Sequence, residues 1–174
     1  MPPGFPPIPQ MNPWAPGGLR GAVENTSGAQ WGRVGMLSGE FRYTLDDKGR
    51  VVLPPKFRRE LGEAVIITRG FDGCIFVYSK KEWVGVEKDL RRLPLSRRDF
   101  QRFLLAAAVD VEIDRQGRIT LPEVLREHAG ISKEVVVIGL IRRLEIWSEA
   151  RWKEAVARVQ RQAPQIAEQI DISL

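Results

Sequence analysis

Two short motifs hold the residues best placed to do chemistry. Asp46-Asp47-Lys48-Gly49-Arg50 and Asp114-Arg115-Gln116-Gly117-Arg118 each set an aspartate four residues before an arginine, with glycine directly ahead of the arginine. Arginine presents a planar, five-donor fork that suits the O6/N7 edge of guanine or a phosphate. An aspartate across a tight turn can hold that fork or the turn amides. Two readings stay open for each pair: a clamp in which Asp46 or Asp114 only fixes the turn, or a clamp whose Arg50 or Arg118 also touches DNA. Cations are dense around the first motif. Arg42, Lys48, Arg50, Lys56, Arg58 and Arg59 stand against Glu40, Asp46, Asp47 and Glu60, and they are expected to project from one surface as a basic ridge, with Arg58 and Arg59 reading equally well as ordinary solvated helix charges. The second motif is poorer, with Gln116, Val124 and Glu127 where the first has Lys48, Lys56 and Arg59. The first half is therefore expected to make the main DNA contacts, and the second to contribute more to assembly.

Other chemistries find little support. The chain of 174 residues has one cysteine, Cys74, and one histidine, His128. These are too few for a disulfide scaffold or a Cys/His zinc site, and neither has a nucleophile or base partner in the sequence. Cys74 reads as a small buried hydrophobe, and His128 as a helix C-terminal residue. No phosphate-cradling glycine motif is present. No catalytic residue, metal or cofactor is expected, nor a small-molecule ligand. No apolar run approaches the roughly 18 residues that span a bilayer. Net charge is +5. Residues 36–161 alone carry 25 basic against 19 acidic side chains, so the excess belongs to the part that folds and suits a polyanion partner. A second basic cluster, Lys88, Arg91, Arg92, Arg97, Arg98 and Arg102, reads as a solvated helix face.

The elements that must position the two motifs follow from an internal repeat. At an offset of 68, residues 45–62 and 113–130 share Asp46/Asp114, Gly49/Gly117, Arg50/Arg118, Leu53/Leu121, Pro54/Pro122, Arg58/Arg126 and Gly62/Gly130. Each copy predicts a strand (40–45; 109–113), a tight hairpin turn whose glycine supplies a positive φ, and a second strand (50–53; 118–121). A short helix opened by proline follows (55–61; 122–129), ended by Gly62 or Gly130. Two more strands come next, 64–68 with 74–78 and 134–138 with 144–147. Ser79 and Ser148 then cap longer helices that bury Trp83, Val86 and Leu90 in one copy and Trp152, Ala155, Val156 and Val159 in the other. Trp147, Trp83 and Trp152 read as core or subunit-contact residues. A linker helix over 96–107 turns Phe100, Phe103, Leu104 and Ala107 to one side. One copy of about 40 residues buries too little to offset chain entropy, so the copies are expected to form one intramolecular pseudo-dimer.

The stretch MLSGEFRYTLDDKGRVVLPPKFR from Met36, with the paired Asp46…Arg50 and Asp114…Arg118 motifs, resembles the MraZ family of bacterial transcriptional regulators linked to the division and cell wall gene cluster. The half-unit is also similar to the AbrB/SpoVT swapped-hairpin domain. The resemblance implies an α+β fold: tandem swapped-hairpin repeats forming one pseudo-dimeric β-barrel with flanking helices, repeats at 36–93 and 108–161 joined by a linker helix at 94–107. It implies a sequence-specific repressor of its own operon, bound to direct repeats in double-stranded DNA, assembled as an octamer-like ring in the cytoplasm on the nucleoid. Residues 1–35, which hold seven of the 12 prolines and seven of the 16 glycines, precede the family's usual Met-Leu start. They are expected to be a disordered extension translated from an upstream start codon. Residues 162–174 are expected to be a loose tail. Two rivals are a scaffold ring whose charge only solubilises it, and an RNA-binding module. The RNA reading is disfavoured because the turn-flanking strands offer only Phe41 and Tyr43 for stacking.

Overall fold

A computed structural model describes residues 37–169. The expected disordered extension lies outside those residues. The first repeat runs β1 (Leu37–Thr44), β2 (Arg50–Val52), α1 (Pro55–Leu61), β3 (Ala64–Arg69), β4 (Ile75–Ser79) and α2 (Lys80–Arg91). A linker helix, α3 (Arg98–Leu105), leads to the second: β5 (Val109–Glu112), β6 (Arg118–Thr120), α4 (Glu123–Ala129), β7 (Glu134–Ile141), β8 (Arg143–Ser148) and α5 (Glu149–Gln169). The two longer helices start as the sequence predicts. The Ser79 hydroxyl accepts the Glu82 amide at 3.2 Å and the Ser148 hydroxyl accepts the Arg151 amide at 3.4 Å.

The repeats exchange their first strands. β1 pairs antiparallel with β7, from Leu37 opposite Ile141 to Thr44 opposite Glu134, and β5 pairs with β3. One six-stranded antiparallel sheet results, in the order β1-β7-β8-β4-β3-β5, while β2 and β6 pair with each other as a separate two-stranded ribbon. Two expectations change here. The strands on either side of each turn are not hairpin partners, because β1 and β5 find longer, more apolar strands in the opposite repeat. Nor is the sheet a closed barrel: β1 and β5 are its two outer strands, and the chain leaves each of them at an Asp-x-x-Gly turn to enter the ribbon.

Alternation along the central strands builds two apolar layers. Ile75, Val77, Val135, Val137, Leu144 and Ile146 face a core shared with Val51 and Leu53 of β2–α1 and with Ile119 and Leu121 of β6–α4. Phe76, Val136, Ile138 and Trp147 face the other way, onto Ala155 of α5. Trp83 and Leu90 are buried as expected, but Val159 and Phe100 are exposed. Phe100 stacks on Phe71, with ring centroids 5.6 Å apart, rather than entering the core. Helix α5 carries the C-terminal segment, expected to dock weakly or not at all, through Pro164 to Gln169, and its described side chains from 161 onward are exposed.

Candidate nucleic-acid interface

The ribbon brings the two motifs together. Arg50 stands opposite Thr120 and Val52 opposite Arg118. At each end the ladder is extended by the partner repeat's turn, since the Leu53 amide donates to the Gly117 carbonyl and the Leu121 amide to the Gly49 carbonyl, both at 2.9 Å. Each turn closes the same way. The Asp46 carbonyl accepts the Gly49 amide at 2.9 Å, the Asp114 carbonyl accepts the Gly117 amide at 2.7 Å, and both glycines sit at positive φ, 70° and 75°.

Each aspartate divides its oxygens. Asp46 Oδ1 accepts the amides of Lys48 and Arg50, both at 3.0 Å, and Oδ2 takes Arg50 Nε and Nη2 at 2.7 Å. Asp114 Oδ1 accepts the amides of Gln116 and Arg118 at 2.9 Å, and Oδ2 takes Arg118 Nε at 2.8 Å. Arg118 also reaches across the ribbon, its Nη1 lying 3.7 Å from Asp46 Oδ2. Bonding to the Arg50 side chain, reinforced by the turn amides, holds the Asp46 carboxyl down to about 2. Asp114 is lowered chiefly by the Arg118 amide and then by its guanidinium. The arginines are held but not sealed: the Arg50 and Arg118 side chains keep 27% and 24% of their exposure. Arg50 spends its Nε/Nη2 edge on Asp46, which leaves the Nη1 end of the fork directed away from the carboxylate.

The other expected cations fall into three groups. Lys48 is exposed at the tip of the first turn, and Arg59 is exposed on α1. Lys56 is exposed too, with Nζ 5.1 Å from the centre of the Phe41 ring and 5.0 Å from that of Phe57. Arg42 does not join them. Strand alternation sends it to the α5 face beside Val136, where it meets Glu40 at 2.8 Å and Glu149 at 3.7 Å. The single basic ridge is therefore broken at Arg42. Arg58 is half-buried, and its Nε donates to the Leu53 carbonyl at 3.0 Å. A further cation stands outside the identities that the repeats share. Arg115 is exposed at the tip of the second turn, where the first turn has Asp47, so each tip carries one cation, Lys48 beside Asp47 in the first and Arg115 beside Gln116 in the second.

Cys74 is fully buried, and burial pushes its thiol up, as for an inert core residue. His128 Nε2 lies 2.9 Å from the Gly70 carbonyl, linking α4 to the end of β3. Among the described residues no group of His, Cys, Asp and Glu is placed to hold a metal. No described helix is long and apolar enough to cross a membrane.

This doubled arrangement coincides with two matches to one family model, described as "MraZ protein, putative antitoxin-like", over residues 36–106 and 104–170. The chain belongs to the MraZ family. It is 49% identical over 139 residues to the transcriptional regulator MraZ of Caldanaerobacter subterraneus subsp. tengcongensis, covering 78% of this chain and 97% of that protein. It is 50% identical over 139 residues to the MraZ of Thermoanaerobacter sp. strain X514, with the same coverage. To the MraZ of Limosilactobacillus reuteri it is 49% identical over 140 residues, covering 79% of this chain and 99% of the relative. The two MraZ units meet at the linker helix, and each contains one complete Asp-x-x-Gly-Arg turn.

Proposed function

We propose that this MraZ-family chain, whose relatives are named transcriptional regulators, is itself a sequence-specific regulator that binds double-stranded DNA. It represses its own division and cell wall operon from direct repeats upstream, in the cytoplasm at the nucleoid. The observation that carries this reading is the pairing of β2 with β6, which sets two partly exposed guanidinium groups side by side between two turn tips that each hold one cation. A two-stranded ribbon fits the major groove, where G·C and A·T pairs are distinguishable. Arg50 reads base edges through the end of its fork not held by Asp46, and Arg118, tied to both aspartates, contributes less. Lys48 and Arg115 meet flanking phosphates, with Lys56 and Arg59 adding attraction from α1. Asp46 and Asp114 keep the forks preorganised. Arg42 and Arg58, already engaged by other groups, are left out of the contact set.

Self-assembly into a ring, which the family resemblance supplies, places several ribbons in series, so that successive repeats are bound with avidity and no single ribbon needs high affinity. The test is Arg50→Ala, with binding followed on the chain's own upstream DNA at two salt concentrations. Loss of one good base contact predicts a fall of roughly tenfold to a hundredfold, with circular dichroism and particle size unchanged. Undiminished binding would reduce Arg50 to a turn clamp.

A further inference from the structure

The repeat aligns Arg58 with Arg126, and the fold gives both the same unusual position. Arg58 Nε donates to the Leu53 carbonyl at 3.0 Å, and Arg126 Nε to the Leu121 carbonyl at 3.1 Å. Each guanidinium then lies against the turn glycine of the opposite repeat. A Cβ on Gly117 would overlap the guanidinium of Arg58, and one on Gly49 would stand 3.3 Å from Arg126 Nε. The backbone joins at the same places, since Leu53 and Leu121 donate their amides to the carbonyls of Gly117 and Gly49. Residues 53 and 121 thus present a carbonyl to their own repeat's arginine and an amide to the other repeat's turn.

From this geometry we propose that Arg58 and Arg126 are crossed positioning residues. Arg126, in the second repeat, fixes the first turn with Lys48 and Arg50. Arg58, in the first repeat, fixes the second turn with Arg115 and Arg118. Both arginines are half-buried at the base of the ribbon, behind the turns they hold. Glycine is required at 49 and 117 for its φ, and at 117 the Arg58 guanidinium also occupies the space a Cβ would need, while Arg126 leaves only a tight fit at 49. A change in one repeat is felt at the other repeat's turn.

The link to DNA rests on the function proposed above, but the bracing does not, and one experiment separates them. Amide hydrogen exchange is measured in full-length Arg126→Ala and Arg58→Ala proteins, alongside operator binding across a salt series. Arg126→Ala is expected to speed exchange at Gly49 and Arg50 by about tenfold, because the charged bond it loses holds Leu121, whose amide holds the Gly49 carbonyl, and to leave Gly117 and Arg118 unchanged. Arg58→Ala is expected to do the reverse. Operator affinity falls by several-fold in Arg126→Ala with the salt slope unchanged, since no phosphate contact is removed. Faster exchange at the turn of the substituted residue's own repeat, or at neither turn, overturns the proposal. So does a salt slope reduced by about one, which would make Arg126 a direct phosphate contact. A crossed exchange pattern without any loss of operator affinity supports the brace and removes the turns as DNA readers. If either alanine variant does not fold, Arg126→Lys and Arg58→Lys keep the charge but lack the Nε–H, and the same crossed pattern decides.

Discussion

The two repeats are near-copies at the ribbon and differ outside it. Around the turns the backbone bonds and the aspartate–Nε bonds correspond: Asp46 with Arg50 and Asp114 with Arg118, Leu53 to Gly117 and Leu121 to Gly49. At the periphery the correspondence fails. β1 has eight residues and β5 four; α5 has 21 and α2 12. The first repeat joins β3 to β4 through a 3-10 turn at Phe71–Gly73, where the second has a tight reversal with Ile141 at φ 53°. Identity is kept in the ribbon, where each turn completes the other's ladder, and is lost in the exchanged outer strands, the β3–β4 and β7–β8 connections and the closing helices. Even within the ribbon the charges are unequal. Asp46 has two arginines within ion-pair distance, and among the described residues Asp114 meets only Arg118.

Separating the halves is the strongest way to break this comparison. Residues 37–93 and 108–169, expressed apart and held at concentrations where they are monomeric, should each give the far-ultraviolet spectrum of an unfolded chain, because β1 lacks β7 and β5 lacks β3. Mixing should restore the folded spectrum. Leu53→Ala and Leu121→Ala probe the symmetric part. Both leucines are fully buried at matching positions, and each change should cost about 2–5 kcal/mol in urea unfolding, with closely similar values. A large difference would show the ribbon to be less symmetric than its bonds.

Smaller effects sharpen the contrast between the turns. Removing the tip cation with Lys48→Ala or Arg115→Ala should lower the slope of log affinity against log salt by about one in each case. A drop for Lys48 alone would confine DNA contact to the first repeat. The smallest effect is expected in acid. Asp46 is held at about 2 by Arg50 and the turn amides, against roughly 3.9 for a free aspartate. A lowered carboxyl stabilises the fold fully above the unfolded value and loses that contribution as pH falls toward the folded one. Turn order should thus be complete at neutral pH and decline between about pH 4 and 2. Carboxyl chemical shifts should show Asp46 titrating below a free aspartate.

Much of this was legible in the sequence, because the deciding features are local. Glycine before arginine marks the turns, proline opens α1, and Ser79 and Ser148 cap α2 and α5. The strand exchange was legible only in outline. Phe41 and Tyr43 alternate with Arg42 and Thr44 in a pattern that would suit any half-buried strand, and nothing nearby names β7 as the partner. The same alternation, once paired with Val136, removed Arg42 from the basic surface. Arg115 escaped notice because matching the repeats favours identities, and it aligns with Asp47. Arg58 and Arg126 were visible as an identity, but a helix arginine on a neighbouring repeat's glycine is a long-range fact with no local signature.

The pairing of Leu37 with Ile141 also bears on how the chain is made. A ribosome adds roughly 5–20 residues per second, so β1 emerges some 5–20 seconds before the strand that will cover it. Through that interval Phe41 and Tyr43 have no sheet to join, and the first motif cannot take its final shape. The nascent first half is therefore when this protein is most open to chaperones, and to pairing with the β7 of a neighbouring chain on the same message.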